Sequence, residues 1–271
     1  MSAEEFRLLA DLIHDTCGID FRDDSRPILQ RRLVGRLDAL GLTSFADYHR
    51  YLLYDPERRA ELEQIVERVT PNETYFFREP NQLAALSDEI LPELARRRPR
   101  GRRLKVWSAG CATGEEAYTV AILVCESGRF ADWDVRIFGN DISRRVLHIA
   151  RIGAYGRSSF RATDERYQRR YFREVDGKLV VRDEIKAMVS FGQINLLDEA
   201  MLSIVGDVDI VLCRNVIMYF DVATRKRVVA TFWKKLVTGG YLLLGHSESL
   251  LNLSTAFELV HLRNDMVYRR P

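Results

Sequence analysis

The residues of this sequence that could do chemistry gather just after four short apolar runs. Ala109-Gly110-Cys111-Ala112-Thr113-Gly114 follows the run Leu104–Trp107, Asn140-Asp141 follows Val135–Phe138, Asn195 follows Val189–Ile194, and Arg214-Asn215 follows Asp209–Cys213. If these runs are strands of an open α/β sheet, the polar residues all lie beyond the strands' carboxyl ends, where such sheets bind ligands. Asp141 stands where an acid accepts hydrogen bonds from ribose hydroxyls; the plainer alternative is that it caps the next helix. Asn195 and Asn215 each offer a donor and an acceptor that suit an adenine edge, or serve as ordinary loop amides. The glycines of the first turn let a ligand approach the backbone closely, although a tight strand-to-helix connection would look the same. That turn is neither Gly-x-Gly-x-x-Gly nor followed by Gly-Lys-Ser/Thr, which excludes a P-loop. Glu115 and Glu116 open the helix after it; two carboxylates there would repel a pyrophosphate and favour a cationic or neutral ligand. Tyr219 and Phe220 follow Asn215 closely, with core packing as the simpler reading of both.

Other chemistries find no support. The histidines His14, His49, His148, His246 and His261 form no metal-binding or nucleophile-elbow pattern, and the scattered Cys17, Cys111, Cys125 and Cys213 form no Cys-x-x-Cys pair, so no metal is expected. With 46% hydrophobic and 30% charged residues the chain is expected to be globular and soluble, and a net charge of +2 recruits no nucleic acid. The longest apolar runs fall short of the roughly 20 residues of a membrane span. The acidic Met1–Phe6 does not resemble a signal peptide, so a cytoplasmic location is expected. Arginines cluster twice: Arg26, Arg31, Arg32 and Arg36, then Arg96, Arg97, Arg98, Arg100, Arg102 and Arg103. Solvated faces or linkers explain such runs adequately. Arg32 and Arg36 share a helical face with Arg31 beside them, however, and that face could dock an acidic partner.

The elements that must position these residues divide along the chain. The first 70 residues read as helices. One carries an apolar stripe of Ile28, Leu29, Leu33, Leu37 and Leu40 with Gly41 as C-cap; Phe45–Leu53 forms the next behind a Thr43 or Ser44 cap; a third runs from about Pro56 to Val69, where Thr70-Pro71 ends it. From Leu104 onward strands alternate with helices at Glu115–Cys125, after Ser143, and at Ala223–Leu236, which implies a parallel sheet with helices on both faces. Gly239-Gly240 should turn into a strand Tyr241–Leu244. Phe257–Leu262 and Met266–Arg269 suit an antiparallel edge, and Tyr171–Arg182 suits an inserted hairpin with an Asp176-Gly177 turn behind a helix at Asp164–Arg170.

Taken in order, several blocks resemble the chemoreceptor glutamate methyltransferases of bacterial chemotaxis, the CheR family. They are Asn72–Glu79 (NETYFFRE), Val106–Tyr118 (VWSAGCATGEEAY), Phe138–Ser143 (FGNDIS), Asn195-Leu196-Leu197, Cys213–Asp221 (CRNVIMYFD) and Gly245–Ser249 (GHSES). The resemblance spans nearly the whole chain. It implies a class I S-adenosylmethionine-dependent, Rossmann-like methyltransferase domain at 71–271, with a linker at 71–86 and an inserted small β-subdomain at about 158–188, preceded by an all-α domain at 1–70. It implies S-adenosylmethionine as cofactor, S-adenosylhomocysteine as product and no metal. By motif, the cofactor contacts would be Asn72, Thr74, Arg78, Ala109, Glu115, Asp141, Asn195, Leu196, Arg214 and Asn215, with Arg78 and Tyr219 nearest the reacting methyl group. Arg26, Arg31, Arg32 and Arg36 would hold the cytoplasmic helical region of a chemoreceptor, whose glutamates become methyl esters.

The residue chemistry agrees with such a reaction. A glutamate, with an ordinary pKa of about 4.3, is ionised at neutral pH and needs no general base; the lack of a credible catalytic histidine is consistent with that. Some family members bind a pentapeptide tether of the receptor through a glycine-containing insertion in the β-subdomain hairpin. Here the Arg173–Lys178 turn is tight, so no tether binding is expected and recognition falls to the helical domain of a monomer. Two rivals remain: a methyltransferase for another acceptor such as a nucleic-acid base, disfavoured by the absence of an Asn/Asp-Pro-Pro-Tyr motif, and a cofactor-binding adaptor without turnover.

Overall fold

The computed structural model describes residues 1–97 and 103–271. Arg98, Arg100 and Arg102 of the second arginine cluster lie outside the described residues. The chain forms two units, one of Met1–Pro71 with Tyr219–Thr224, the other of Asn72–Met218 with Arg225–Pro271.

The first unit is helical: α1 (Ala3–Cys17), α2 (Arg26–Leu40), α3 (Phe45–Tyr54) and α4 (Arg58–Val69). Local signals set its boundaries. Ser2 and Glu5 close a capping box on α1, Gly41 ends α2 in the left-handed region, Ser44 caps α3 through the Asp47 N–H, and the residue before Pro71 leaves helical geometry after α4. On α2 the buried stripe is Leu29, Leu33 and Leu37, four residues apart; Ile28, expected on that stripe, sits one step round the helix and is 42% exposed.

In the second unit the linker continues into α5 (Pro80–Ala85), a π-helical turn Leu86–Ile90 and α6 (Leu91–Arg97). Pro80 at the first helical position explains why helix starts there, inside a stretch the sequence pattern left as linker. There follow β1 (Arg103–Ala109), α7 (Glu115–Glu126), β2 (Asp134–Asp141), α8 (Arg144–Ile152), β3 (Ala154–Tyr155), α9 (Glu165–Tyr171), β4 (Phe172–Val175), β5 (Lys178–Val181), α10 (Asp183–Lys186), β6 (Val189–Gln193), β7 (Val208–Cys213), α11 (Val222–Lys235), β8 (Leu236–Leu244), β9 (Glu258–His261) and β10 (Met266–Arg269). The sheet order is β6-β2-β1-β7-β8-β10-β9, parallel from β6 to β8, with β10 antiparallel to both β8 and β9. The order reverses between β1 and β7, and that switch point is where a doubly wound sheet opens a ligand crevice.

α7 is buried on nearly every side, Ala117 through Val124, which accounts for a helix with almost no polar face. A separate three-stranded sheet, β3-β5-β4, carries the hairpin, whose Asp176 and Gly177 both have positive φ (49° and 72°) as a two-residue turn requires. Gly239 and Gly240 do not turn into a strand: they lie inside β8, where its register with β7 shifts between Val208 and Ile210, so the glycine pair marks a bulge.

Candidate active site

The loop after β1 is built to leave room at the switch point. Gly110 has φ 77°, and a Cβ there would meet Val216 Cγ2 at 2.6 Å. No other residue type fits so close to the loop after β7. The Gly110 and Cys111 N–H groups both donate to the Asn140 carbonyl, at 2.9 and 2.8 Å, which ties this loop to the end of β2. Asn140, fully buried, accepts from Trp107 Nε1 at 2.7 Å and donates to the Ile194 carbonyl at 2.9 Å, stitching β1, β2 and the end of β6 together.

Asp141 does more than cap a helix. Its Oδ2 accepts from the Ala112 N–H and its Oδ1 from the Ser143 N–H, both at 2.9 Å, so one carboxylate fixes both the glycine loop and the start of α8. Ser143 itself caps α8 by accepting from the Val146 N–H. An ionised carboxylate has about four acceptor positions, so Asp141 can do this and still receive hydroxyl donors. Glu115 is buried, accepting from Thr113 Oγ1 at 2.6 Å and Ser159 Oγ at 3.0 Å; burial pushes its carboxyl up against the pull of these donors.

Around Arg214, whose side chain is only 3% exposed, three elements converge. Its Nη2 donates to the Arg78 carbonyl at 2.5 Å and to Glu79 Oε2 at 3.1 Å, while Nη1 faces Glu116 Oε2 at 3.4 Å. Glu116 also accepts from Ser108 Oγ at 2.6 Å. Burial raises the Glu79 carboxyl, but Arg214 and His246 together outweigh it and hold it below the ordinary range. For Glu116 burial wins over Arg214 and the carboxyl lies above that range. Phe77, Glu79 and Asn215 all have positive φ near 60°, an uncommon conformation for non-glycine residues that clusters at functional sites. Asn215 Oδ1 is buried and has no hydrogen-bond partner among the described residues.

The linker motif is held by aromatic packing. Phe76 is fully buried between Phe160 (centroids 5.0 Å apart), Tyr155 (4.9 Å) and Phe172 (5.0 Å), and Phe77 stacks on Tyr167 at 4.5 Å. Its N–H donates to Thr119 Oγ1 on α7 at 3.2 Å. Arg78 Nη1 returns to the Glu73 carbonyl at 2.7 Å, and Arg161 lies over the Tyr75 ring at 3.7 Å.

The structure thus brings Arg78, Ala109, Glu115, Asp141, Arg214 and Asn215 onto the linker and strand-end loops of one unit. Asn195 follows β6 and accepts from the Leu197 N–H, with Leu196 buried between them; Asn72 and Thr74 are half-buried on the linker. Tyr219 groups with the helical unit, its carbonyl accepting from the Asp20 N–H at 2.8 Å. The basic face of α2 is smaller than its sequence suggests. Arg26 and Arg31 are exposed, whereas Arg36 forms a two-pronged pair with Glu61, at 2.8 and 2.5 Å, and Arg32 donates to the Val69 carbonyl. Glu61 is 4% exposed and also accepts from Tyr48, so Arg36 is committed to the interior of the helical unit. The sequence named Asn140 only as the neighbour of Asp141 and gave Glu79 and Glu248 no role; all three lie inside recognised blocks, but nothing in the spacing shows what they grip.

An S-adenosyl cofactor fits the residues present. An orphaned buried acceptor at Asn215, a carboxylate at the end of β2 and the close backbone approach at Gly110 surround the switch point, and the surplus of buried carboxylates suits a positively charged ligand. Among the described residues no group of His, Cys, Asp or Glu side chains could hold a metal ion, and no helix is long and apolar enough to cross a membrane.

Strand order, crossover helices and strand-end loops define an S-adenosylmethionine-binding, Rossmann-like methyltransferase domain that accompanies an all-α domain. Residues 4–70 match the family of the CheR methyltransferase all-alpha domain, and residues 72–266 match that of the CheR methyltransferase SAM-binding domain. A chemotaxis protein methyltransferase of Salmonella typhimurium is 36% identical over 99% of this chain and 90% of its own. That of Escherichia coli K12 is 34% identical over 99% and 91%, and chemotaxis protein methyltransferase 2 of Vibrio cholerae serotype O1 is 33% identical over 98% and 93%. The chain belongs to the CheR family of chemotaxis protein methyltransferases.

Proposed function

We propose that this protein methylates glutamate side chains in the cytoplasmic helical region of chemoreceptors, forming glutamyl methyl esters and S-adenosylhomocysteine, and so acts as a protein-glutamate O-methyltransferase in chemotactic adaptation. The observation that carries this reading is that both family domains are present, over nearly the full length of relatives called chemotaxis protein methyltransferases.

When bound, S-adenosylmethionine supplies an electrophilic methyl group on a positively charged sulfur. In this reading Asp141 receives the ribose hydroxyls, Asn195 and Leu196 border the adenine, Ala109 and Glu115 line the loop after β1, and Asn72, Thr74, Arg78, Arg214 and Asn215 complete the site. The acceptor carboxylate is already ionised near neutral pH, so these residues align reactants rather than move a proton. Alignment of this kind can supply roughly 7–11 kcal/mol. Arg78 orients the acceptor carboxylate without gripping it fully, since a two-pronged guanidinium bond would blunt the nucleophile. Tyr219 donates a hydrogen bond to the acceptor. Arg26 and Arg31, exposed on α2, face the acidic receptor helix, and the tight Asp176-Gly177 turn is the reason to expect no binding of a receptor-tail pentapeptide.

Incubation with methyl-labelled S-adenosylmethionine and receptor membranes tests the function. Label released by mild base as methanol is the expected result. Base-stable label would indicate another acceptor, and no label from a protein that binds S-adenosylhomocysteine would indicate an adaptor.

A further inference from the structure

The loop between β7 and α11 carries Asn215 at φ 60°, and three of its backbone N–H groups converge on one carboxylate from elsewhere in the chain. Glu248, in the turn after β8, accepts four backbone N–H groups. Its Oε2 takes those of Gly245 and Asn215, both at 2.8 Å, and its Oε1 those of Val216 at 2.9 Å and Met218 at 3.0 Å. Gly245 makes the fit possible, because a Cβ there would meet the Asn215 N at 2.8 Å, Asn215 Nδ2 at 2.8 Å and Glu248 Oε2 at 2.9 Å. Short of this carboxylate, the part-buried Asn215 and Val216 would leave their N–H groups unpaired, which costs more than the hydrogen bonds gain. The same turn reaches the other side of the site, where His246 Nδ1 lies 3.3 Å from Glu79 Oε1 and Glu79 engages Arg214.

We propose that Glu248 is a positioning residue for methyl transfer: its carboxylate holds the Asn215–Met218 loop in the conformation that presents the Asn215 amide to the cofactor. This rests on the reading of Asn215 as a cofactor contact. A carboxylate is required because all four partners are donors. A glutamine turns one of its two acceptors into a donor facing two N–H groups, with the volume unchanged.

The test is Glu248→Gln, read by calorimetry with S-adenosylhomocysteine, by thermal melting and by amide hydrogen exchange. The expected variant keeps a cooperative melt, binds S-adenosylhomocysteine about tenfold more weakly or worse, and exchanges faster at Asn215, Val216 and Met218 while β1, β2 and β7 keep wild-type rates. Wild-type affinity in the variant would overturn the proposal. So would faster exchange spread through β1, β2 and β7 alongside a lowered melting temperature, since that marks a purely structural role. Should Glu248→Gln not fold, Glu248→Asp, which keeps the charge but shortens the reach, is read by the same criteria. Asp141→Ala separates the two readings: affinity lost there but kept in Glu248→Gln sinks the Glu248 proposal alone, whereas no binding by the wild-type protein sinks the functional reading.

Discussion

Each unit of the molecule pairs an inward-turned arginine with carboxylate, and the two clusters are built to different ends. In the helical unit Arg36 and Tyr48 converge on Glu61, one cation and one hydroxyl on one anion, and each group finds its partner within α2, α3 and α4. In the sheet unit Arg214 faces both Glu79 and Glu116 and spends a further N–H on the Arg78 carbonyl, next to residues in positive-φ conformations and an amide oxygen with no partner among the described residues. The first cluster is balanced and self-contained. The second carries an excess of negative charge, strained backbone and an open acceptor, which are the marks of a place that expects a ligand. An inward-turned arginine is therefore a fold device in one place and, in the proposed reading, site architecture in the other, and only the company it keeps distinguishes them.

The largest effect should come from breaking the balanced cluster. Arg36→Ala strands the Glu61 carboxylate and should cost about 3–5 kcal/mol of stability by denaturant unfolding; a loss below about 1 kcal/mol would show the pair to be no more than a surface salt bridge. Next, Asp141→Ala should weaken S-adenosylhomocysteine binding by about tenfold or more in calorimetry, since it removes an acceptor and loosens two loops at once. Smaller is the acid dependence of Glu79. Its folded carboxyl lies below the ordinary value, so it contributes stability above the ordinary glutamate pKa of about 4.3, and that contribution is lost as pH falls through the lowered value. Glu79→Gln should flatten the acid limb of a stability–pH curve, and an unchanged limb would remove Glu79 from the charge balance. Smallest for the fold is Arg31→Glu, expected within about 0.5 kcal/mol of wild type and neutral for cofactor binding, yet impaired in receptor methylation. Equal methylation by wild type and Arg31→Glu would take the docking role away from α2.

The contrast also explains what the sequence showed and what it hid. Apolar runs bounded by turn residues disclosed β1, β2, β6 and β7, and the polar residues at their ends were conspicuous for that reason. Caps at Ser44 and Ser143 were equally plain, because a cap is a local interaction. Partnerships across long stretches of sequence were not. Arg36 looked like part of an exposed basic stripe since its partner Glu61 lies two helices away, and Asp141 looked like a choice between cap and ligand contact because the Ala112 N–H it also holds comes from a different strand end. The β8 bulge escaped for the opposite reason: Gly-Gly is a turn signal, and the backbone partner of Gly239 and Gly240 is Arg270, far along the sequence.

In the proposed reaction the acid-rich strand-end cluster serves a nucleophile that arrives already ionised, so that no side chain of this protein acts as general base. Single-turnover methyl transfer to receptor membranes, followed against pH with saturating S-adenosylmethionine, tests it most directly. The rate is expected to climb only through the range where a glutamate of pKa about 4.3 loses its proton and then to stay level through neutrality. A rate limb near pH 6.5, the ordinary range of a histidine acting as base, would contradict it.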